Sequence, residues 1–367
     1  MKNGVSQEDT LARILTTAPH PTRALPDNLA DLRAQAAAAH HGATALLALC
    51  QAHGESTIRH HLGNLTAQAR QAFARTLAHT GPAETTATGH LDDGTPINIR
   101  LTKTGDRLTI DFTGSGGVHP GNRNATPAVV RSAVLYVLRL WTGEPIPLNE
   151  GFLANVDIIL PPGFLNPPFA ADPSQSPAVV GGNVETSQRI VDTLIRALGL
   201  QAGSQGTMNN VIFGNATFGH YETLCGGSGA GPGYPGTDAI HTHMTNTAIT
   251  DIEILERRYP VRVEEFAIRP HSGGPGQYPG GNGAIRTYHF LAPLTLSLLT
   301  EHRLTEHRLT PPLGHAGGQP GACGRQFLTL PDGTRQDLPG TVSLPVAAGT
   351  RLHVHTPGGG GWGTPPP

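Results

Sequence analysis

Lysine is nearly missing from this 367-residue chain: only Lys2 and Lys103 occur, and arginine carries the remaining positive charge. With 25 basic against 27 acidic residues the formal net charge is -2. That balance excludes the basic footprint of a nucleic-acid-binding protein. Cysteine is scarce too. Cys50, Cys225 and Cys323 are odd in number, far apart and form no CxxC pair, which argues against a disulfide framework or a zinc knuckle. No apolar run reaches the roughly eighteen residues of a membrane-spanning helix. Residues 1–15 carry charges and lack the apolar stretch of a signal peptide. These absences together predict a cytoplasmic protein in a reducing compartment. No GK[ST] tripeptide occurs, so the chain has no P-loop for ATP.

Glycine and proline are abundant, at 47 and 32 residues. They are spread without period, which fits a loop-rich globular protein rather than collagen or a disordered tract. The densest stretch is 204–246, SQGTMNNVIFGNATFGHYETLCGGSGAGPGYPGTDAIHTHMTN. Glycine lets backbone approach a ligand or another backbone closely. Asn209, Asn210, Asn215, His241, His243 and Asn246 add donors and acceptors for a polar molecule. The segment reads as a site wall of loops and short strands.

The predicted fold class is α+β. Residues 1–27 read as an extended arm. A helix is predicted over 28–53, with Asn28 as N-cap and Gly54 as stop, and a second over 57–80, with Leu62, Leu65, Ala69, Phe73 and Leu77 on one face. The period then falls to two at Ile97 and Ile99 and at Leu108, Ile110 and Phe112, predicting a small antiparallel sheet with turns at 92–94 and 104–106. A helix is expected over 126–141, a strand over 152–160, and the clearest helix over 183–199, capped by Asn183, Thr186 or Ser187 and ended by Gly199. Beyond residue 200 short strands and glycine turns prevail. The segments divide as 1–80 (arm and helical hairpin), 81–200 (α+β) and 201–367 (β-rich), the last two sharing one core. LTEHR at 299–303 recurs at once at 304–308.

Several residues are candidates for chemistry. His241 and His243 would share one face of a strand and so hold a metal with Asp238 or Asp251, or else simply hydrogen-bond within a polar site. GGSGAGPG at 226–233 is either an anion nest or a packing loop. Asn183, Glu185, Thr186 and Gln188 open the best helix, where they would cap it or hold a substrate carboxylate. Cys225 is a nucleophile if a base activates it, and otherwise a buried apolar residue. Glu301, His302 and Arg303, or their copies Glu306, His307 and Arg308, form an acid–base or anion-holding group, or a solvated charge cluster. Asp111 ends a strand in DFTG, aimed at a cleft or engaged in turn chemistry.

In chain order, DFTGS (111–115), LNEGFL (148–153), GGNVETSQRIVD (181–192), SQGTMNN (204–210), the long block 221–270, SGGPGQYPGGNGAIR (272–286), GHAGGQPGA (314–322) and TPGGGGWG (356–363) resemble the hydantoinase B/5-oxoprolinase family over roughly residues 30–365. The resemblance implies an ATP-dependent hydrolase of cyclic amides, such as 5-oxoproline or hydantoins, acting with an actin-like, ATP-binding A-type partner. Related acetone and acetophenone carboxylases share the architecture. It also implies that His241, His243 and Glu185 are catalytic, and that Asn183, Thr186, Gln188, Asn209, Thr245 and Asn246 bind substrate. Family members are usually longer ahead of the point where this chain begins, in a part associated with a divalent metal. The expectation is therefore one half of a split subunit, completed by a separately encoded segment, or else a truncated chain that only packs with partners.

Overall fold

The computed structural model describes residues 4–17, 21–79, 81, 83–303 and 310–365. The chain opens with three helices, α1 (Glu8–Thr17), α2 (Leu25–His53) and α3 (Glu55–His79). The expected extended arm is thus partly helical. α2 also begins earlier than Asn28, because Pro26 fits the first turn of a helix, where no N–H bond is lost. Asn28 instead takes a bond from the Thr22 hydroxyl. Gly54, at φ +83, turns the chain sharply from α2 into α3. Of the face predicted for α3, Ala69, Phe73 and Leu77 are buried, whereas Leu62 and Leu65 are exposed.

The first sheet is ordered β1 (Glu84–His90), β2 (Pro96–Thr104), β3 (Arg107–Asp111) and β4 (Val156–Ile159). Its first three strands pair antiparallel, as their alternation predicts, and β4 joins β3 in parallel. The strand expected over 152–160 is shorter because Glu150–Leu153 forms a 3-10 turn. Helix α5 (Ser187–Ala197) packs on β1 and β2 of this sheet, and α4 (Pro127–Thr142) packs on α5. Ile97, Ile110, Phe112, Val134, Ile190 and Leu194 are among the buried members of the resulting cluster.

The C-terminal half carries two more sheets. One is ordered β12 (Thr341–Val346), β9 (Leu294–Leu299), β5 (Asn210–Gly214) and β6 (Gly219–Glu222). The other is β11 (Arg335–Asp337), β10 (Arg325–Thr329), β13 (Arg351–His355), β8 (Ala284–Phe290) and β7 (Val261–Ile268), with α6 (Ile252–Arg258) leading into β7. Both sheets feed a second apolar cluster that includes Phe213, Leu296, Tyr288, Phe290 and Val354.

Between these layers the glycine-rich segments pack on one another. Gly281 N donates to Ser228 O at 2.9 Å, Gly359 N to Gly281 O at 2.8 Å, and Gly274 N to Gly359 O at 2.8 Å. A Cβ on Gly281 would lie 2.0 Å from Thr237 O, and one on Gly359 would lie 1.9 Å from Ser228 O. Backbone fills the space a side chain would take. Within the run 226–233, a Cβ on Gly227 or Gly229 would likewise meet backbone, at 1.9 and 2.0 Å from Gly281 O and Ala202 O, which favours the packing alternative.

Candidate active site

Helix α5 is entered through a wide π-type turn, Gly182–Thr186, with no side-chain cap. Glycine makes this turn possible: a Cβ on Gly182 would meet Asn124 O at 2.1 Å. The turn brings Glu185, Thr186 and Gln188 into the interior, all fully buried. Thr186 donates to Arg123 O at 2.6 Å. Gln188 donates to Thr245 Oγ1 at 2.9 Å, tying α5 to the loop that carries both histidines. Asn183 and Asn246 are exposed.

Glu185 Oε1 accepts from Asn210 Nδ2 at 2.6 Å and from Met208 N at 3.2 Å, while its Oε2 has no hydrogen-bond partner. Burial, and then the nearby Glu301 carboxylate, push its pKa up to about 8, partly opposed by the Thr207 hydroxyl and by Arg123. Glu185 is therefore neutral near pH 7. Tyr221, whose ring is half exposed, donates to Asn210 Oδ1 at 2.7 Å and so links this buried acid to the surface.

A dense ionic network lies beside it. Arg123 Nε donates to Glu301 Oε1 at 2.9 Å, and Asp92 N donates to Glu301 Oε2 at 2.7 Å. Asp92 in turn accepts from Arg189 at 3.1 Å, from His302 N at 3.0 Å, from Arg303 N at 2.8 Å and from the Thr310 hydroxyl. Arg303 reaches Asn209 Oδ1 at 2.8 Å. Burial, and then Asp92, raise the Glu301 pKa. Burial, followed by Arg189, holds His302 well below its ordinary value. Its Nδ1 faces the Thr310 carbonyl as donor, which leaves Nε2 to accept from Arg189. Burial lowers Arg303 to about 10. Glu301, His302 and Arg303 thus form a buried network, contrary to the solvated reading. Their copies Glu306, His307 and Arg308 lie outside the described residues.

The strand expected at 241–243 is a turn. His243 has φ 52, so the two imidazoles do not project from one strand face. Asp238 is engaged by Asn282, and Asp251 caps α6. Among the described residues no group of three His, Cys, Asp or Glu side chains is arranged to hold a metal ion. His243 Nε2 instead lies 3.0 Å from Asp192 Oδ1, which also accepts from Ser204 N at 3.1 Å. With Nε2 donating to the carboxylate, Nδ1 of His243 keeps its lone pair. His241 makes no hydrogen bond through either ring nitrogen, and burial lowers its pKa.

Three clefts surround these groups. One of about 450 Å³ is lined by Tyr136, Ser204, Tyr234, His241, Thr242 and His243. One of about 300 Å³ is lined by Arg189, Asp192, Arg196, His302 and Thr310. One of about 690 Å³ is lined by Asp92, Asp93, His119, Arg123, Glu301 and Thr341. Glu185 lines none of them. Asp192 stands between the first two, bonded to His243 on one side and facing the Arg189 cleft on the other. Glu185 Oε2, Gln188 Oε1, Arg189 Nε and Asp192 Oδ2 are all buried without a hydrogen-bond partner. Unsatisfied buried polar atoms are rare in folded proteins, and here four cluster on two turns of chain.

Sequence reasoning missed Asp92, Arg123, Arg189 and Asp192. Asp92 read only as turn punctuation, and the arginines only as general charge. The pair Arg189 and Asp192, three apart on the polar side of α5, was the one available signal. Two other candidates are ordinary structure. Asp111 accepts from Thr113 N at 2.8 Å in a turn. Cys225 is buried, and burial raises its thiol pKa, so it is not an activated nucleophile.

Comparison with known proteins places this architecture. The family model described as "Hydantoinase B/oxoprolinase" matches residues 1–365. The chain is 40% identical to 5-oxoprolinase 1 of Arabidopsis thaliana, over 99% of this chain and 30% of that protein. It is 38% identical to a 5-oxoprolinase of Dictyostelium discoideum, over 99% of this chain and 28% of that protein. The chain thus spans 28–30% of the length of these curated relatives. The crystal structure of the ATP-dependent caprolactamase from Pseudomonas jessenii shares the fold, with TM-score 0.84 at 23% identity, over 99% of this chain and 65% of that one.

Proposed function

Because the chain belongs to the hydantoinase B/oxoprolinase family, we propose that it supplies part of the hydrolytic compartment of an ATP-dependent cyclic amide hydrolase. In this reading it acts with an A-type, ATP-binding partner and opens a lactam such as 5-oxoproline. A lactam is resonance-stabilised and resists water; phosphorylation of the amide oxygen would make the ring carbon a better electrophile. ATP is assigned to the partner, because Gly227 and Gly229, the inner glycines of the run that might cradle phosphate here, are packed on backbone. A divalent metal would need ligands from outside these residues, since no suitable donor group is present among those described.

The observation that carries the reading on this chain is the His243–Asp192 pair at 3.0 Å beside the cleft of about 450 Å³. Asp192 orients the ring and fixes its tautomer, so that the free Nδ1 can take a proton from attacking water. Neutral His241 lines the same cleft and would hydrogen-bond the ring amide. Gln188 and Thr245 hold the histidine loop on α5, while exposed Asn183 and Asn246 are assigned to its rim. Glu185 and Asn209 are positioning residues in this scheme. Neutral Glu185 holds the 208–210 turn through Met208 N and Asn210, and Asn209 anchors Arg303.

The test is reconstitution of the chain with an A-type subunit, following glutamate release from 5-oxoproline with ATP. The chain is omitted in the control. Release that requires both the chain and ATP is expected. Bicarbonate-dependent consumption of a ketone, with no ring opening of any lactam or hydantoin, would replace this reading with a carboxylase.

A further inference from the structure

Arg189, Asp192 and Arg196 follow one another along α5 at spacings of three and four, so their side chains share one face of the helix. All three line the cleft of about 300 Å³. Opposite charges at these spacings ordinarily pair with each other. Among the described residues, neither arginine brings a nitrogen within 4.0 Å of the Asp192 carboxylate. Arg189 turns to Asp92 at 3.1 Å and leaves Nε without a partner. Asp192 turns Oδ1 to His243 at 3.0 Å and leaves Oδ2 without one. Arg196 crosses to strand β1 and donates to the Thr88 carbonyl. It is half-buried, and among the described residues no carboxylate lies within 4.0 Å of it. A guanidinium partly withdrawn from water without a counter-ion is costly, and a ligand anion would relieve that cost.

The clefts on either side of Asp192 differ in kind. The larger one, beside the histidines, is walled by side chains such as Leu140, Ile195 and Ile240, and among the described residues no lysine, arginine or carboxylate lines it. It offers no counter-ion to a charged ligand group. The smaller one sets an unpartnered acceptor, Asp192 Oδ2, one helical turn from the unpaired cation of Arg196. A turn rises about 5.4 Å, a span that two hydrogen bonds of about 2.9 Å can bridge through a small polar group. The group that fits carries an N–H donor beside a carboxylate. A carboxylate alone would leave Oδ2 unpartnered and be repelled by it. A neutral amide alone would leave Arg196 without a counter-ion.

We infer that this cleft recognises a carboxylate with an N–H donor on the adjacent carbon, a feature that 5-oxoproline has and an unsubstituted lactam lacks. Arg196 holds the carboxylate, Asp192 Oδ2 accepts from the N–H, and Arg189 makes the floor of the cleft positive. Arg196 is then the residue that sets specificity for a carboxylated ring. The inference deepens the function proposed above and rests on that reading for its choice of a lactam. In it, Asp192 serves two partners: one oxygen receives the ligand N–H, and the other orients His243.

The experiment is calorimetric titration of the chain without ATP, which reads binding apart from turnover. The probes are 5-oxoproline, 2-pyrrolidone, which lacks the carboxylate, and tetrahydrofuran-2-carboxylate, whose ring oxygen replaces the N–H. 5-Oxoproline should bind about tenfold or more tightly than either, the scale of one hydrogen bond to a charged group. Arg196→Gln should abolish its advantage over 2-pyrrolidone, and Arg196→Lys, which keeps the charge, should retain part of it. No binding of 5-oxoproline, equal binding of the three probes, or a glutamine variant that binds like the wild type would overturn the inference. So would inorganic phosphate that displaces 5-oxoproline at equal concentration, since the cleft would then be a general anion site. Binding that depends on Arg196, with no ring opening by the reconstituted complex, would uphold this site and refute the proposed function instead.

Discussion

Replacing Glu185 by glutamine should stabilise the protein at neutral pH and leave it nearly unchanged in mild acid. The side chain is fully buried, and its pKa stands at about 8 against an ordinary 4.5. The sign follows from proton counting. Between these values the folded state holds a proton that the unfolded chain has released, so stability present below pH 4.5 is lost as pH rises toward 8. Each pH unit in that window is worth about 1.4 kcal/mol. Roughly two and a half units separate the lower limit from neutrality, so the wild type forgoes about 3 kcal/mol at pH 7 and about 5 kcal/mol by pH 8. Glutamine has the shape of the neutral acid. Its oxygen can keep the bonds from Asn210 and Met208 N, and its amide takes the place of the unpartnered Oε2. Urea unfolding of both proteins at pH 4.5, 6, 7 and 8 reads the difference directly. The gap between the curves should open with pH in favour of Glu185→Gln. Parallel curves, or a variant that loses stability at pH 8, would refute a neutral buried acid at this position.

Other substitutions probe the layer and the network. Gly281→Ala should cost at least 3 kcal/mol in urea unfolding, because its Cβ would lie 2.0 Å from Thr237 O and disturb two backbone hydrogen bonds. Gly117→Ala, with nothing within 4 Å, should cost under about 1 kcal/mol. Asp92→Ala strips four donors of their acceptor and leaves Arg189 unpaired by that carboxylate; a loss of about 3–5 kcal/mol is expected in the same assay. The Cys323 thiol, pushed up to about 11 chiefly by burial, and the buried Cys225 should resist a thiol reagent at pH 7.5 in the folded protein. Labelling of either as fast as a free thiol would contradict those surroundings.

The elements that rest on side-chain period were legible in the sequence. Ile190, Leu194 and Ile195 announce α5, and the alternation from Ile97 to Phe112 announces the first sheet, because water sorts apolar side chains to one face. The glycine layer was not legible in the same way. Its order lies in backbone hydrogen bonds between segments such as 226–236, 272–283 and 356–363, and these leave no side-chain pattern. The network had a different obstacle. Asp92, Arg123, Arg189 and Glu301 come from four distant segments, and each alone looks like an ordinary surface charge. The LTEHR repeat is visible in the sequence, yet the burial of its first copy follows from strand β9 delivering Thr300 and Glu301 into the interior, which spacing does not reveal. His241 and His243 stand out in the sequence, but the strand geometry expected for them is replaced by a left-handed turn at His243.

The proposed function divides the labour, with ring opening on this chain and ATP on its partner. The direct measurement is simultaneous ATP cleavage and 5-oxoproline ring opening by the reconstituted complex carrying His243→Ala. Ring opening should fall at least a hundredfold, the usual scale for losing a general base, while ATP cleavage persists and becomes uncoupled. Ring opening at the wild-type rate, or loss of ATP cleavage in parallel with it, would contradict the assignment.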